Sequence, residues 1–405
     1  MTKYTQMRRM TSVLLCCSML MSCTGGKDGM DIKPDPVRYV TFGLPGVMMQ
    51  GVEMAGGPDT KSVLHNSFPD GGMFRVFGYC IPDMVNGSEN DYAAASSPWN
   101  TKSQRIKADI FYETDVTCSG VVTSYGNGSL KEWYTAGFNG VPEGAQVSQF
   151  RYSFLAHYPV DCFTMNMRTA DAVGVPVLSF SMPWSGGDMD TPRDHAEIPD
   201  AMLAARFDHI RANGAVPLNF YHIMTGLRFR VNNYSDEDLI IESARLSGQF
   251  YSEATFDFTT TKVKQTATAL GQKSFSGYFS LIADGTSQTC PSGASSPYLG
   301  VSDTNPEGTT VLLLPNLDAD PSTADRPDNP IYSLGDKKTI TIRYRYAGDA
   351  DVKTAVIPDF HLSYRPAQST RYTANLNFVG DRFVLIFQAD TDSWGDGSDN
   401  GIIIN

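Results

Sequence analysis

Chemistry in a protein needs donors and acceptors at workable spacing, and few residues here meet that need. The densest run of oxygen ligands is Asp390-Thr-Asp-Ser-Trp-Gly-Asp-Gly-Ser-Asp-Asn-Gly401. Calcium binds through several carboxylate and carbonyl oxygens of a flexible loop. Asp390, Asp392 and Asp396 could supply three of them. However, Trp394 stands where an EF-hand loop places an oxygen ligand, and no Glu closes the loop. The run therefore reads as a solvated turn, with those three aspartates as a secondary calcium candidate and Trp394 as a packing residue of a last hairpin. The six histidines, His65, His157, His195, His209, His222 and His361, are scattered. His222 lies among Leu218, Phe220 and Met224 and reads as a core residue. His195 has Asp194 and Glu197 beside it, an acid–base neighbourhood, but the surrounding Asp, Pro and Gly mark a solvated loop. No nucleophile elbow, zinc-protease helix or phosphate-binding loop occurs. No catalytic residue and no cofactor is therefore expected.

Cysteine chemistry is more informative. Lys3, Arg8 and Arg9 precede an apolar stretch from Met10 to Met21, which ends in Leu20-Met21-Ser22-Cys23. The stretch is too short to span a membrane and has the form of an export leader. The four residues resemble a bacterial lipobox, whose Cys is acylated at sulfur and becomes the mature N-terminus. Residues 1–22 are thus read as a lipoprotein signal peptide, Cys23 as the lipidated residue, and 23–36 as a flexible tether rich in Gly, Lys, Asp and Pro. Several acyl chains on one residue hold it at a membrane by burying methylene groups. Cys80, Cys118, Cys162 and Cys290 remain. They show no metal-ligand spacing, and a long chain needs no disulfide staples, so isolated thiols are expected, although an oxidising envelope would permit pairing.

The chain has 405 residues and a formal net charge of −12. Removing the leader removes three positive charges and leaves −15 on 383 residues. That balance excludes nucleic acid as an evident partner, since phosphate binding needs a basic surface. The length suits two domains.

The elements that must position any site are strands. Leu227, Phe229 and Val231 alternate with Arg228 and Arg230. Ile340, Ile342, Tyr344 and Tyr346 form one face of a second run, and Tyr372, Ala374, Leu376 and Phe378 one face of a third. Period-two alternation places one face on a core and the other toward water. Asn86-Gly87, Asn127-Gly128, Asn139-Gly140, Gly348-Asp349 and Gly380-Asp381 punctuate the runs as turns. The reading is a mostly-β protein of antiparallel sandwiches. One segment, Pro199 to Arg211, is rich in helix formers and reads as a short helix or an ordered connection, with Asn213-Gly214 as its stop. A domain boundary is placed near Gly214, giving an N-terminal domain over 37–214 and a C-terminal domain over 215–405. Leu317 to Pro330 reads as an exposed loop.

With these motifs in order, the chain resembles the fimbrillin-like, major and minor fimbrial subunit proteins of Bacteroidales, which build type V pili. The resemblance rests on the lipobox and tether leading to a strand at Val37–Gly43, and on Phe68-Pro-Asp-Gly-Gly-Met-Phe-Arg-Val-Phe-Gly-Tyr79. It rests further on Trp133-Tyr134 with Tyr152-Ser-Phe-Leu-Ala-His-Tyr-Pro159, on Asp200 and Leu203 before Pro217-Leu-Asn-Phe-Tyr-His222, and on Arg371-Tyr-Thr-Ala-Asn-Leu-Asn-Phe378 followed by Phe383–Phe387. It implies two tandem transthyretin-like β-sandwich domains and export to the outer membrane and cell surface as a lipoprotein. It also implies assembly with other fimbrial subunits by donor-strand exchange after an Arg-directed cut behind the first strand. Here Arg38 starts the candidate strand and the next Arg is Arg75, inside a later one; between them the only Lys or Arg is Lys61. Lys61 and Arg38 are thus the candidate maturation residues. Their placement points to a membrane-retained anchor or an accessory or tip subunit. The C-terminal Gly401-Ile-Ile-Ile-Asn405 reads as a last strand of its own sandwich. An alternative reading is a surface glycan-binding lipoprotein, meeting host or bacterial glycans through solvent-facing Trp99, Trp184 or Tyr298.

Overall fold

The computed structural model describes residues 38–49, 52–53, 67–84, 98–120, 122–126, 130–135, 146–166, 169–259, 264–267, 274–303, 305, 308–315, 338–358 and 369–389. Residues 1–22, read as a signal peptide, Cys23, the expected tether over 23–36, Lys61, the Asp390–Asp396 run with Trp394, and the last five residues lie outside them.

The described residues are almost all β, as the alternation predicts. A first sheet contains β1 (Gly46–Met49), β2 (Val52–Glu53), β3 (Met73–Met84), β4 (Phe111–Ser119), β5 (Val122–Tyr125), β6 (Val147–Tyr158), β10 (Met202–His209) and β11 (Asn219–His222). Its order is β2-β1-β11-β10-β6-β3-β4-β5. A four-stranded sheet joins β7 (Phe163–Met165), β8 (Val177–Ser181), β14 (Glu253–Asp257) and β15 (Lys264–Ala267). A third sheet is built on β13 (Leu239–Tyr251), flanked by β16 (Ser274–Ser280) and β20 (Thr339–Tyr346). It adds β9 (Pro192–Arg193), β17 (Gln288–Cys290) and β21 (Lys353–Ile357). The fourth runs β18 (Ala294–Tyr298), β12 (Thr225–Asn233), β22 (Thr370–Val379), β23 (Arg382–Ala389), with β19 (Thr310–Leu313) also on β12.

The segment Pro199–Arg211 is corrected by the structure: it carries strand β10, not a helix. The physical reason is burial on both faces. Leu203 and Ala205 enter one apolar cluster, and Met202 and Ala204 enter another on the opposite face. A strand covered on both sides reads as a continuous apolar run, which periodicity alone cannot separate from a helix. Strand β11 lies beyond Gly214 and still belongs to the first sheet.

Among the described residues the buried apolar side chains form two clusters. One lies on the face of the first sheet that carries Phe74, Phe154, Phe220 and Phe42. The other runs from Phe77, Tyr79 and Leu155 on the opposite face through Phe250, Phe279, Ile342 and Phe378. The β22–β23 hairpin closes through Gly380 and Asp381, both at positive φ (54° and 62°), as a two-residue hairpin turn requires. Arg228, expected in water, is buried: its guanidinium carbon lies 3.5 Å from the centre of the Tyr298 ring, and Nε donates to Thr373 Oγ1 at 3.1 Å.

Candidate functional site

The segment from Arg38 to Met49 is the part of the fold with an unusual attachment. Its strand β1 runs parallel to β11, with Gly46 opposite Asn219 and Val47 opposite Phe220. The strand expected at Val37–Gly43 is corrected: there Tyr39 and Phe42 make only isolated bridges, Phe42 parallel to Val216, and the regular strand begins at Gly46, after Pro45, which has no N–H for a ladder. Val216 N donates to Thr41 O at 2.7 Å, Gly43 N to Val216 O at 2.9 Å, and Gly46 N to Leu218 O at 3.0 Å. Parallel strands adjoin only through a long connection: β1 keeps its chain neighbour β2 on one edge and takes β11, far along the chain, on the other.

On its other side the segment meets side chains as well as backbone. Tyr125 donates its hydroxyl to Val40 O at 2.6 Å, and Thr123 donates to Phe42 O at 2.6 Å. The Tyr125 oxygen in turn accepts from Lys131 N. Val40 N donates to Lys131 O, and Tyr39 bridges Glu132 antiparallel. Burial pushes the Tyr125 phenol up to about 12, so it stays a hydroxyl donor at any physiological pH. The segment therefore lies in a slot: a backbone ladder on the β11 side, hydroxyls of β5 and the 131–132 backbone on the other.

The slot is filled by apolar side chains. Val40, Phe42 and Val47 are buried (0%, 5% and 3% exposed). The Phe42 ring lies 5.6–6.0 Å from the rings of Phe74, Phe111, Tyr125 and Phe154. Arg38 marks the rim: its side chain is mostly exposed and pairs with Glu132 at 2.8 Å. As an exposed pair it adds little stability.

The other residues singled out by sequence are placed as follows. Cys80, Cys118, Cys162 and Cys290 are free thiols, and burial raises the pKa of Cys80, Cys118 and Cys162. His195 Nδ1 is 3.9 Å from Asp194, but that carboxylate accepts from Ala196 N and caps a short 3-10 turn. His222 Nδ1 lies 2.6 Å from Asp200 Oδ1, with both side chains buried; the pair ties β11 to the start of β10 and has no access for a substrate. Trp99 is not solvent-facing: it is 7% exposed and donates Nε1 to Phe258 O at 2.6 Å. Trp184 is half-buried, bonded to Glu197 and packed on Phe275. Tyr298 is covered by Arg228 and Arg230. These three do not form one aromatic surface. Among the described residues no cluster of His, Cys, Asp or Glu could hold a metal ion.

Sequence reasoning missed Thr123 and Tyr125, because a hydroxyl that clamps a distant strand leaves no local pattern. It also missed Asp109, a largely buried carboxyl that accepts from Cys80 N and whose pKa desolvation raises to about 6.

The described residues thus form a mostly-β fold in which the Arg38–Met49 segment lies against β11 and the hydroxyls of Thr123 and Tyr125. The model of the fimbrillin-like family matches residues 147–394, more than half of the chain, and the chain belongs to that family. Among solved structures, a fimbrial protein from Bacteroides vulgatus is similar at a TM-score of 0.53 and 15% identity, covering 88% of this chain and 99% of its own. The tip fimbrial protein of Porphyromonas gingivalis, truncated at its C-terminus, is similar at TM-score 0.29 and 7% identity, covering 82% of this chain and 96% of its own. A fimbrial assembly protein from Parabacteroides distasonis gives 0.31 and 8%, covering 80% and 90%. At such identities the first of these likenesses is one of fold. No curated protein matches the chain.

Proposed function

We propose that this chain is a structural and adhesive subunit of a type V fimbria at the cell surface. It is exported as a lipoprotein, held in the outer membrane through acylated Cys23, and joined to other fimbrial subunits by donor-strand exchange. In this reading it has two tandem transthyretin-like sandwiches, with the crossing near Gly214 and β11. The observation that carries the proposal is the slot of Val40–Val47. A strand bound by main-chain ladder on one side, with alternate side chains in pockets, has the geometry of β-strand addition. Emptying the slot would leave an open, apolar edge that demands a replacement strand.

Arg38 supports retention on the membrane. A cut after Arg38 would leave Tyr39–Val47 seated in the slot, because the burial and the ladder all lie downstream of it. An uncut first strand keeps its lipid, which suits an anchor or accessory subunit better than a polymerising stalk subunit. The test is mass spectrometry of the mature N-terminus, from outer membranes and from sheared surface fibres. An acylated Cys23 confined to the membrane is expected. Fibres carrying an unlipidated N-terminus near Ser62, from cleavage at Lys61, would overturn the retained role and support polymerisation.

A further inference from the structure

A cavity of about 620 Å³ opens where β10 ends and β6 continues. The pairing of β10 with β6 stops at His209–Tyr152, so Val147–Arg151 meet β3 on one side and, among the described residues, no strand on the other. The chain turns away through Ile210–Gly214 and leaves the opening. It is lined by Tyr134, Gln149, Phe150, Tyr152, Arg211 and Gly214.

The walls are held in place by residues behind them. Tyr134 N donates to Tyr152 Oη at 2.8 Å, and Tyr134 donates its hydroxyl to the Asp109 carbonyl at 3.1 Å. Gln149 Nε2 donates to Asp83 at 3.2 Å. His209 Nε2 lies 3.0 Å from Gly214 O, and its ring stacks on Trp133. A cavity of this size, apolar in its body with a few fixed polar groups, is the usual form of a small-ligand site.

We propose that this cavity binds one or two residues of a neutral hexopyranose glycan. A pyranose presents C–H faces that pack on aromatic rings and hydroxyls that need planar donors and acceptors at the edge. Tyr134 and Phe150, both partly buried, offer the first, with the fully buried Tyr152 behind them, and Gln149, Arg211 and the turn backbone the second. A purely aliphatic ligand would match the aromatic part of the lining and leave its polar residues, Gln149 and Arg211, without a complementary surface. A polyanionic glycan would meet a chain of net charge −12 and be repelled. The site is separate from the strand slot, so it can act in a subunit whose slot is filled.

The experiment is saturation-transfer NMR of the mature chain with methyl glycosides of glucose, galactose, mannose and N-acetylglucosamine, each at about 10 mM, a concentration that populates a millimolar site. Arg211→Ala and Phe150→Ala are measured beside Lys353→Ala, a remote control, with thermal melts on all. We expect transfer from at least one glycoside, weakened about tenfold in both cavity variants and unchanged in the control, with Arg211→Ala melting like the parent. No transfer from any glycoside overturns the inference, as does transfer that both cavity variants retain in full. Loss of subunit incorporation into fibres by the cavity variants, without sugar binding by the parent, also overturns it and assigns the cavity to a neighbour's side chain. Fibre incorporation scored separately keeps a failure here distinct from a failure of the fimbrial reading.

Discussion

Truncating Phe42 to Ala should loosen the first strand selectively. The ring is 5% exposed and is surrounded by Phe74, Phe111, Tyr125 and Phe154 at centroid distances of 5.6–6.0 Å. Removing a buried Phe side chain costs about 3–5 kcal/mol, because contacts vanish and the site collapses only partly. If the segment opens as its own unit, every amide that its ladder protects should exchange faster by about a hundredfold or more. The reporters are the amides of Val40, Gly43, Gly46 and Val216, which donate to Lys131 O, Val216 O, Leu218 O and Thr41 O. Native-state hydrogen exchange, read by NMR or by mass spectrometry of short peptides, measures them. The control is the β13–β16 ladder, for instance Leu246 opposite Phe279, which belongs to the other cluster. Acceleration confined to the first strand supports a detachable element. Equal acceleration in β13–β16 would refute the reasoning, since the strand would then leave only when the whole molecule unfolds.

Tyr125→Phe removes the hydroxyl held by Val40 O and Lys131 N; it should cost about 1–2 kcal/mol, again read at the first-strand amides. Thr41→Val should be neutral or stabilising in the same assay, because Thr41 Oγ1 is buried without a hydrogen-bond partner and the methyl removes that penalty. Asp109 has its folded pKa raised to about 6, chiefly by desolvation. A raised carboxyl pKa means the folded state binds the proton more tightly, so this group adds stability as pH falls from above 6 toward 4. Asp109→Asn should raise the free energy of unfolding in urea at pH 7.5 by about 1–2 kcal/mol, and remove that gain at low pH. His157 acts in the opposite sense: burial lowers its pKa to about 4, so stability is whole above pH 6.5 and falls as the pH drops toward 4. His157→Gln should therefore flatten the acid side of the midpoint–pH curve. Thiol titration of the denatured, unreduced protein should find Cys80, Cys118, Cys162 and Cys290 all reactive; a count lower by two would show a disulfide.

Much of the fold could be read from residue order. The Ile340–Tyr346 and Tyr372–Phe378 alternations became β20 and β22 because one face of each packs on a core, and Gly380-Asp381 made the turn its composition suggests. What failed to read did so for physical reasons. Met202–Ala205 lost its alternation because both faces of β10 are covered. Arg228 broke the inside–outside rule because Tyr298 and Thr373 give its guanidinium partners within the fold. Long-range placement was the least legible feature. Nothing near Val40 announces that it will pair across to Lys131 or lie under a hydroxyl from Tyr125, since those contacts span about as much chain as a small domain.

The structure of the slot also limits what could occupy it. The ladder from Val216 and Leu218 joins to backbone and so is blind to side chains. Selection must come from the pockets: a β-branched residue fits at the Val40 place, and a large ring fits two positions on, among Phe74, Phe111, Tyr125 and Phe154. Position 44 is free, because Leu44 is exposed. The hydroxyls of Thr123 and Tyr125 ask only for carbonyls, so they hold the segment without reading its sequence or its register. A one-residue slip would turn the ring out of its pocket and bring Thr41 or Gly43 in. The ladder therefore holds the segment by its backbone and the Val40 and Phe42 pockets set its register, which is why Phe42, with four rings around it, is the residue to perturb first.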